Sequence, residues 1–264
     1  MFDFSQINDY AAIKKLADSH KVTYWGTKFN FLKSSNGLRP QCPHVFLAPP
    51  SAGKTTMQAS IVHDALKESK VVVILTEETA DEYLQKLYFY GSFDAQNLKI
   101  VETKKFPKSI INVRGLAVYL DALFKTESPA LFVLDNLTTE KIYTSSKSTE
   151  QANFVDFMAD TVKKYKMALA VFCHTDGGFN RNVLLKGEAV KFSKHIYNRA
   201  EYFYTIQIVD TKAGGKTILQ ILKNRFHGGI NKFYMLNYDQ GKYISDRPIN
   251  GEVIVNTLRE RLGG

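Results

Sequence analysis

Cysteine is scarce in this chain. Among 264 residues only Cys42 and Cys173 occur, far apart and in no C-x-x-C spacing, so neither a disulfide framework nor a zinc site is suggested. Cys173 ends an apolar run and reads as a small buried hydrophobe. Long hydrophobic runs are missing too, and none approaches the roughly 18 residues that a membrane-spanning helix needs. The N-terminus, Met1-Phe2-Asp3-Phe4, lacks the charged and apolar regions of a signal peptide. The expectation is a soluble, cytoplasmic protein with no membrane partner. No internal repeat and no Pro- or Ser-rich linker divides the chain, whose length suffices for one large α/β core or two small domains. Acidic residues are the last shortage: 26 Asp and Glu face 35 Lys and Arg, a net charge of +9. That excess favours a polyanionic partner, and it is uneven. Arg181, Lys186, Lys191, Lys194, His195 and Arg199 share one stretch whose only acid is Glu188.

What the chain does have is an alternation of short β-branched runs with longer amphipathic stretches, the pattern of a parallel sheet covered by helices. Strands are expected at Val45–Ala48, Val71–Thr76, Leu98–Glu102, Leu131–Asp135 and Leu169–His174, with helices beginning near Lys54, Thr79, Ser109 and Glu150. After about residue 200 the pattern becomes strand and turn, at Tyr202–Asp210, Thr217–Lys223, Phe233–Tyr238 and Lys242–Ser245. The fold class is therefore α/β, a mainly parallel central sheet flanked by helices with a C-terminal antiparallel extension. Residues Gln6–Asp18 form a plausible amphipathic helix through Ile7, Tyr10, Ile13 and Ala17.

The segment Ala48-Pro49-Pro50-Ser51-Ala52-Gly53-Lys54-Thr55-Thr56 joins an apolar strand to a helical stretch. A tight loop there turns backbone N–H groups onto a phosphate at a helix N-terminus. In this P-loop reading Ser51, Ala52, Gly53 and Thr56 belong to the cradle, Lys54 reaches the β/γ oxygens, and the Thr55 hydroxyl sits on Mg²⁺. The consensus G-x-x-x-x-G-K-[ST] fails only where Ala48 replaces the first Gly. Gly215-Lys216-Thr217 repeats the final letters but precedes a β-branched run, so Ala213-Gly214-Gly215-Lys216 reads as a hairpin turn. A nucleotide hydrolase also needs a second metal-side carboxylate, a base and positive charge. Asp135, ending Ala130–Leu134, is the metal-side candidate. Glu77 or Glu78, after the next strand, is the candidate base. His174 sits at a strand end, where a donor could report the γ-phosphate.

Taken together these motifs resemble DnaB-like (superfamily 4) replicative ring helicases of the phage type, RecA-fold motors in which the P-loop commonly begins with Ala. The segments Gly26–Leu32 and Asn36-Gly37-Leu38-Arg39-Pro40 look like that family's lead-in, Leu75–Thr79 its catalytic-glutamate motif, and Phe172-Cys173-His174 its sensor strand. Leu222-Lys223-Asn224-Arg225-Phe226-His227-Gly228-Gly229 resembles its K-x-R-x-x-G segment. The resemblance implies that Arg225, assisted by Lys223, acts as an arginine finger on the neighbouring subunit's nucleotide, and that Tyr238 stacks on the base. It implies a RecA-like P-loop NTPase core that hydrolyses ATP or another NTP with Mg²⁺ and assembles as a hexameric ring. Such a ring moves 5′ to 3′ on single-stranded DNA in replication. The loops Thr138–Thr149 and Asp176–Lys194 then take the places of its DNA-binding loops, with Arg181, Lys186, Lys191 and Lys194 as phosphate contacts. The expected organisation is a helical extension over 1–24, the ATPase domain over 25–250 and a C-terminal tail over 251–264. No primase or primase-binding domain is expected ahead of the motor, and a primase, loader or polymerase would be a further partner. Two other readings stand beside this one: a RadA- or KaiC-like RecA-fold ATPase in recombination or regulation, and a nucleotide-dependent assembly protein that does not translocate.

Overall fold

A computed structural model describes residues 29–33, 37–176, 183–190, 194–211, 214–239 and 242–262. The expected N-terminal helix, and Arg181 and Lys191, lie outside them. Among the described residues nine strands form one sheet: β1 (Pro43–Ala48), β2 (Val71–Leu75), β3 (Leu98–Glu102), β4 (Leu131–Asp135), β5 (Ala168–His174), β6 (Tyr202–Thr211), β7 (Gly214–Asn224), β8 (Phe233–Asp239) and β9 (Lys242–Ile249). Their spatial order is β3-β2-β4-β5-β1-β6-β7-β8-β9. The run Val71-Val72-Val73-Ile74-Leu75 is buried at every position, as a parallel strand covered on both faces must be. Helices α1 (Lys54–Ala65), α2 (Ala80–Tyr88), α3 (Val113–Glu127), α4 (Ser148–Lys164), α5 (Lys194–Arg199) and α6 (Gly251–Leu262) accompany the sheet. The buried apolar residues fall into one cluster holding α1 and α2 side chains and another holding those of α3, α4 and α5.

Several local expectations are adjusted. Strand β6 pairs parallel with β1 and antiparallel with β7, so the antiparallel part begins at β7. Gly214, Gly215 and Lys216, expected in a turn, belong to β7, where they pair with Thr211, Asp210 and Val209. Helix α3 starts later than Ser109, because the Asn112 side chain caps it by accepting from the Gly115 N–H at 2.9 Å. The Thr138–Thr149 loop is half built into the core: it contains a short helix, Lys141–Thr144, and buries Thr138, Glu140 and Tyr143. Residues 251–262, expected as part of a tail, form α6, whose Ile254 and Leu258 pack with Val209, Ile218 and Phe233.

At the other end of the described chain, Asp246 of β9 accepts from the backbone N–H of Asn30 at 3.0 Å and of Phe31 at 2.8 Å. This carboxylate satisfies the open amides of the short helix Asn30–Lys33, holding Phe29, Phe31 and Leu32 in the core.

Candidate functional site

In a parallel sheet the carboxyl ends of the strands share one edge, and ligands bind in the crevice outside it. Register brings the candidate residues to that edge. Ala48, the last residue of β1, lies beside His174 of β5, and Leu75 of β2 lies beside Asp135 of β4. The loop after β1 turns sharply: Ser51 has φ 62° and Gly53 φ 85°, and α1 starts at Lys54. A cavity of about 780 Å³ opens there, lined by Thr55, Thr56, Glu77, Glu78, Asp135 and residues of α2, ending at Phe89 and Tyr90.

Gly53 is required twice over. Its left-handed backbone disfavours any side chain, and a Cβ would meet the Tyr238 ring at 3.0 Å. Tyr238, the residue expected to stack on the base, packs against this glycine and is not among the residues lining the cavity. Burial raises its phenol pKa. Gly53→Ala should lower stability by about 1–2 kcal/mol and weaken nucleotide binding, and a urea midpoint equal to wild type would contradict the packing.

The charged groups neutralise one another in pairs. Lys54 and Asp135 form a buried ion pair, each about 5% exposed. Glu78 pairs with Lys86 of α2, and the pairing only partly offsets burial, which holds the Glu78 pKa above the usual carboxylate value. Helix α2 starts immediately beyond, fixed by a capping box in which Thr79 N–H donates to Glu82 at 2.8 Å and Glu82 N–H to Thr79 Oγ1 at 3.3 Å.

Glu77 goes the other way, toward β5. His174 Nε2 lies 3.1 Å from Glu77 Oε1, and Asn136 Nδ2 donates to the same oxygen at 3.4 Å. The His174 hydrogen bond, with Lys54 nearby, pulls the Glu77 pKa down to about 2 against the opposing effect of burial. A carboxylate whose pKa is depressed on folding stabilises the fold above its ordinary value of 4.5, and this contribution fades as pH falls toward about 2. The urea midpoints of wild type and Glu77→Gln should therefore differ most above pH 4.5 and converge near pH 2. A constant gap across that window would contradict the pairing.

Residues that sequence reasoning missed hold these groups in place. The Asn136 side chain accepts from Thr138 N–H and Oγ1 at 3.0 and 2.6 Å, while Thr138 Oγ1 accepts from the His174 N–H at 2.8 Å. Thr76 and Thr139 share a hydroxyl hydrogen bond of 2.7 Å. Apart from Thr76, which lies within the Leu75–Thr79 segment, these polar residues carry no motif of their own, and only the β2-β4-β5 order brings them together.

The basic pair at the end of β7, Lys223 on the strand and Arg225 just past it, is anchored within its own chain. Lys223 Nζ donates to the carbonyls of Tyr197 and Asn198, both at 3.0 Å, at the C-terminal end of α5. Arg225 donates to Asn198 O at 3.4 Å and pairs with Glu201 at 3.4 Å, with its side chain half exposed. Lys186 and Lys194 are exposed. The segment carrying Lys186 is pinned from below: Gln207 of β6 accepts from Leu185 N–H at 2.8 Å and donates to Val183 O at 3.2 Å.

Among the described residues no group of three or more His, Cys, Asp or Glu is placed to hold a metal ion. Thr55 and Asp135 face the same cavity, and their hard oxygens suit Mg²⁺, which commonly takes its other ligands from phosphate and water. Both thiols are buried and pushed up in pKa, to about 11 at Cys42 and about 12 at Cys173, so neither is a nucleophile. No described helix is long and apolar enough to cross a membrane.

Comparison with solved structures identifies this architecture. A KaiC-like protein from the hyperthermophilic archaeon Pyrococcus horikoshii OT3 superposes with a TM-score of 0.68 at 14% identity, over 86% of this chain and 100% of that one. The fold is RecA-like. No protein-family model matches the sequence, and no curated protein matches it. The RecA-like core explains why the loop after β1, Asp135, Glu77, Glu78 and His174 share one sheet edge: each ends or follows a parallel strand of the same half of the sheet.

Proposed function

We propose that this chain is an ATP hydrolase whose sites are completed between copies of itself and that it works on single-stranded DNA as a ring translocase of the DnaB-like type. The observation that carries the hydrolase reading is the convergence of Thr55, Asp135, Glu77 and Glu78 on one open cavity at the strand ends, with Lys54 paired to Asp135. Lys54 holds the phosphates, which requires it to leave Asp135. Thr55 and Asp135 hold Mg²⁺, which when bound neutralises charge on the phosphate oxygens. Glu78 is the base: its raised pKa gives it the higher proton affinity of the two glutamates, and it faces the cavity. Glu77 and His174 form the pair that senses the γ-phosphate, linking the site to the segment after β5. Arg225, with Lys223, completes a neighbour's site, consistent with its exposed side chain. The net charge of +9 and the exposed Lys186 and Lys194 support a polyanionic track.

A second reading is favoured by the KaiC-like neighbour: the same ATPase serving regulation or recombination without unwinding. ATP turnover measured with and without single-stranded DNA, alongside electron microscopy of assemblies formed with ATP, separates the two. DNA-stimulated turnover in closed rings supports the translocase. Turnover indifferent to DNA supports the KaiC-like reading, and no turnover at all sinks both.

A further inference from the structure

The two basic elements of the proposed motor, the loop bearing Lys186 and the pair Lys223 and Arg225 at the end of β7, converge on α5, where Gly187 and Lys223 both reach the Tyr197 ring. Gly187, next to Lys186, lies against the Tyr197 ring so closely that a Cβ there would stand 2.2 Å from the ring edge. Lys223 Nζ sits 5.3 Å from the centroid of the same ring and bonds the Tyr197 and Asn198 carbonyls. Arg225 takes the Asn198 carbonyl and Glu201. The far side of α5 is fixed: His195 and Arg199 both bond Asp156 of α4, at 2.9 and 2.5 Å, and Ile196 and Ala200 are buried. Phe203 meets the Tyr197 ring edge-on at 4.9 Å between centroids. The Tyr197 ring is thus touched by the loop through Gly187 and by the basic pair through Lys223, on a helix that Asp156 and the burial of Ile196 and Ala200 hold in place.

We propose that Tyr197 is a positioning residue that couples occupancy of the Lys186 loop to the placement of Lys223 and Arg225. This rests on the translocase reading above. A polyanion drawn to Lys186 displaces Gly187, the ring follows, and the carbonyl end of α5 re-aims the basic pair toward the neighbouring copy's nucleotide. Two cations on helix-end carbonyls are well suited to this, because those bonds are charge-assisted yet exposed enough to exchange.

The test uses the full chain, ATP and a poly-dT oligonucleotide. Tyr197→Phe keeps the ring and should retain DNA stimulation of turnover. Tyr197→Ala and Gly187→Ala should each lower that stimulation at least about fivefold, while the KM for ATP and the salt-dependent affinity for poly-dT stay at wild-type values. The double variant Gly187→Ala/Tyr197→Ala removes the steric conflict, so its thermal midpoint should recover relative to Gly187→Ala while stimulation stays lost. Wild-type stimulation in folded Tyr197→Ala, or equal loss in Tyr197→Phe, overturns the coupling and leaves the translocase reading intact. Absence of stimulation in wild type overturns the translocase reading, and the coupling with it.

Discussion

Lys54→Ala should abolish ATP turnover, by at least about 10²-fold, and should also destabilise the fold by about 3 kcal/mol, the low end for a broken buried ion pair. The second effect is the less obvious one. Lys54 and Asp135 are both buried and paired, so removing the ammonium leaves a buried carboxylate without its counter-charge. The cavity beside it lets water in, which is why the smaller value applies. Adding Asp135→Asn to Lys54→Ala removes the stranded charge, so the double variant should regain stability while remaining inactive. Urea unfolding and ATP turnover read the two effects separately. A single variant as stable as wild type would show that the pair is no structural element.

The second large effect concerns assembly. Glu78→Ala alone and Arg225→Ala alone should each lose about 10²-fold or more in turnover, one lacking its base and the other the charge that stabilises transfer. Mixed together, some sites receive an intact Glu78 from one copy and an intact Arg225 from the next, so turnover should return to a fraction of wild type. Co-assembled mixtures as inactive as either parent would place Arg225 outside the neighbour's site. Its contacts with Asn198 and Glu201 of its own chain would then be its whole role.

Much of the site is legible in the sequence because a parallel sheet translates chain order into position. Any residue ending a buried β-branched run arrives at the same edge, so Asp135, His174 and the pair Glu77 and Glu78 can be placed there from their runs alone. What stays illegible are contacts set by strand order. Tyr238 reaches Gly53, and Tyr197 reaches Gly187 and Lys223, only because β6 lies beside β1 and carries β7 and β8 with it. The direction of β6 is equally hidden, because the strand reads the same either way. Its crossover helix α5 is just six residues, shorter than a clear helical period can declare. Gly214-Gly215 misleads for a related reason: glycines suit a turn, but Thr211 pairs with Gly214 and moves the reversal ahead of them.

Strand β1, which leads into the loop before α1, is the fifth of the nine described strands, with neighbours bonded along both sides. Local opening begins at sheet edges and reaches the centre last. In a hydrogen-exchange experiment, amides of β1 should therefore be among the last to take up deuterium, and those of β3 and β9 among the first. Strand β2, which Glu77 and Glu78 follow, lies one place from the β3 edge. The loop after β1 is thus hung from the most persistent part of the molecule, and Glu77 and Glu78 from a part with more freedom to breathe.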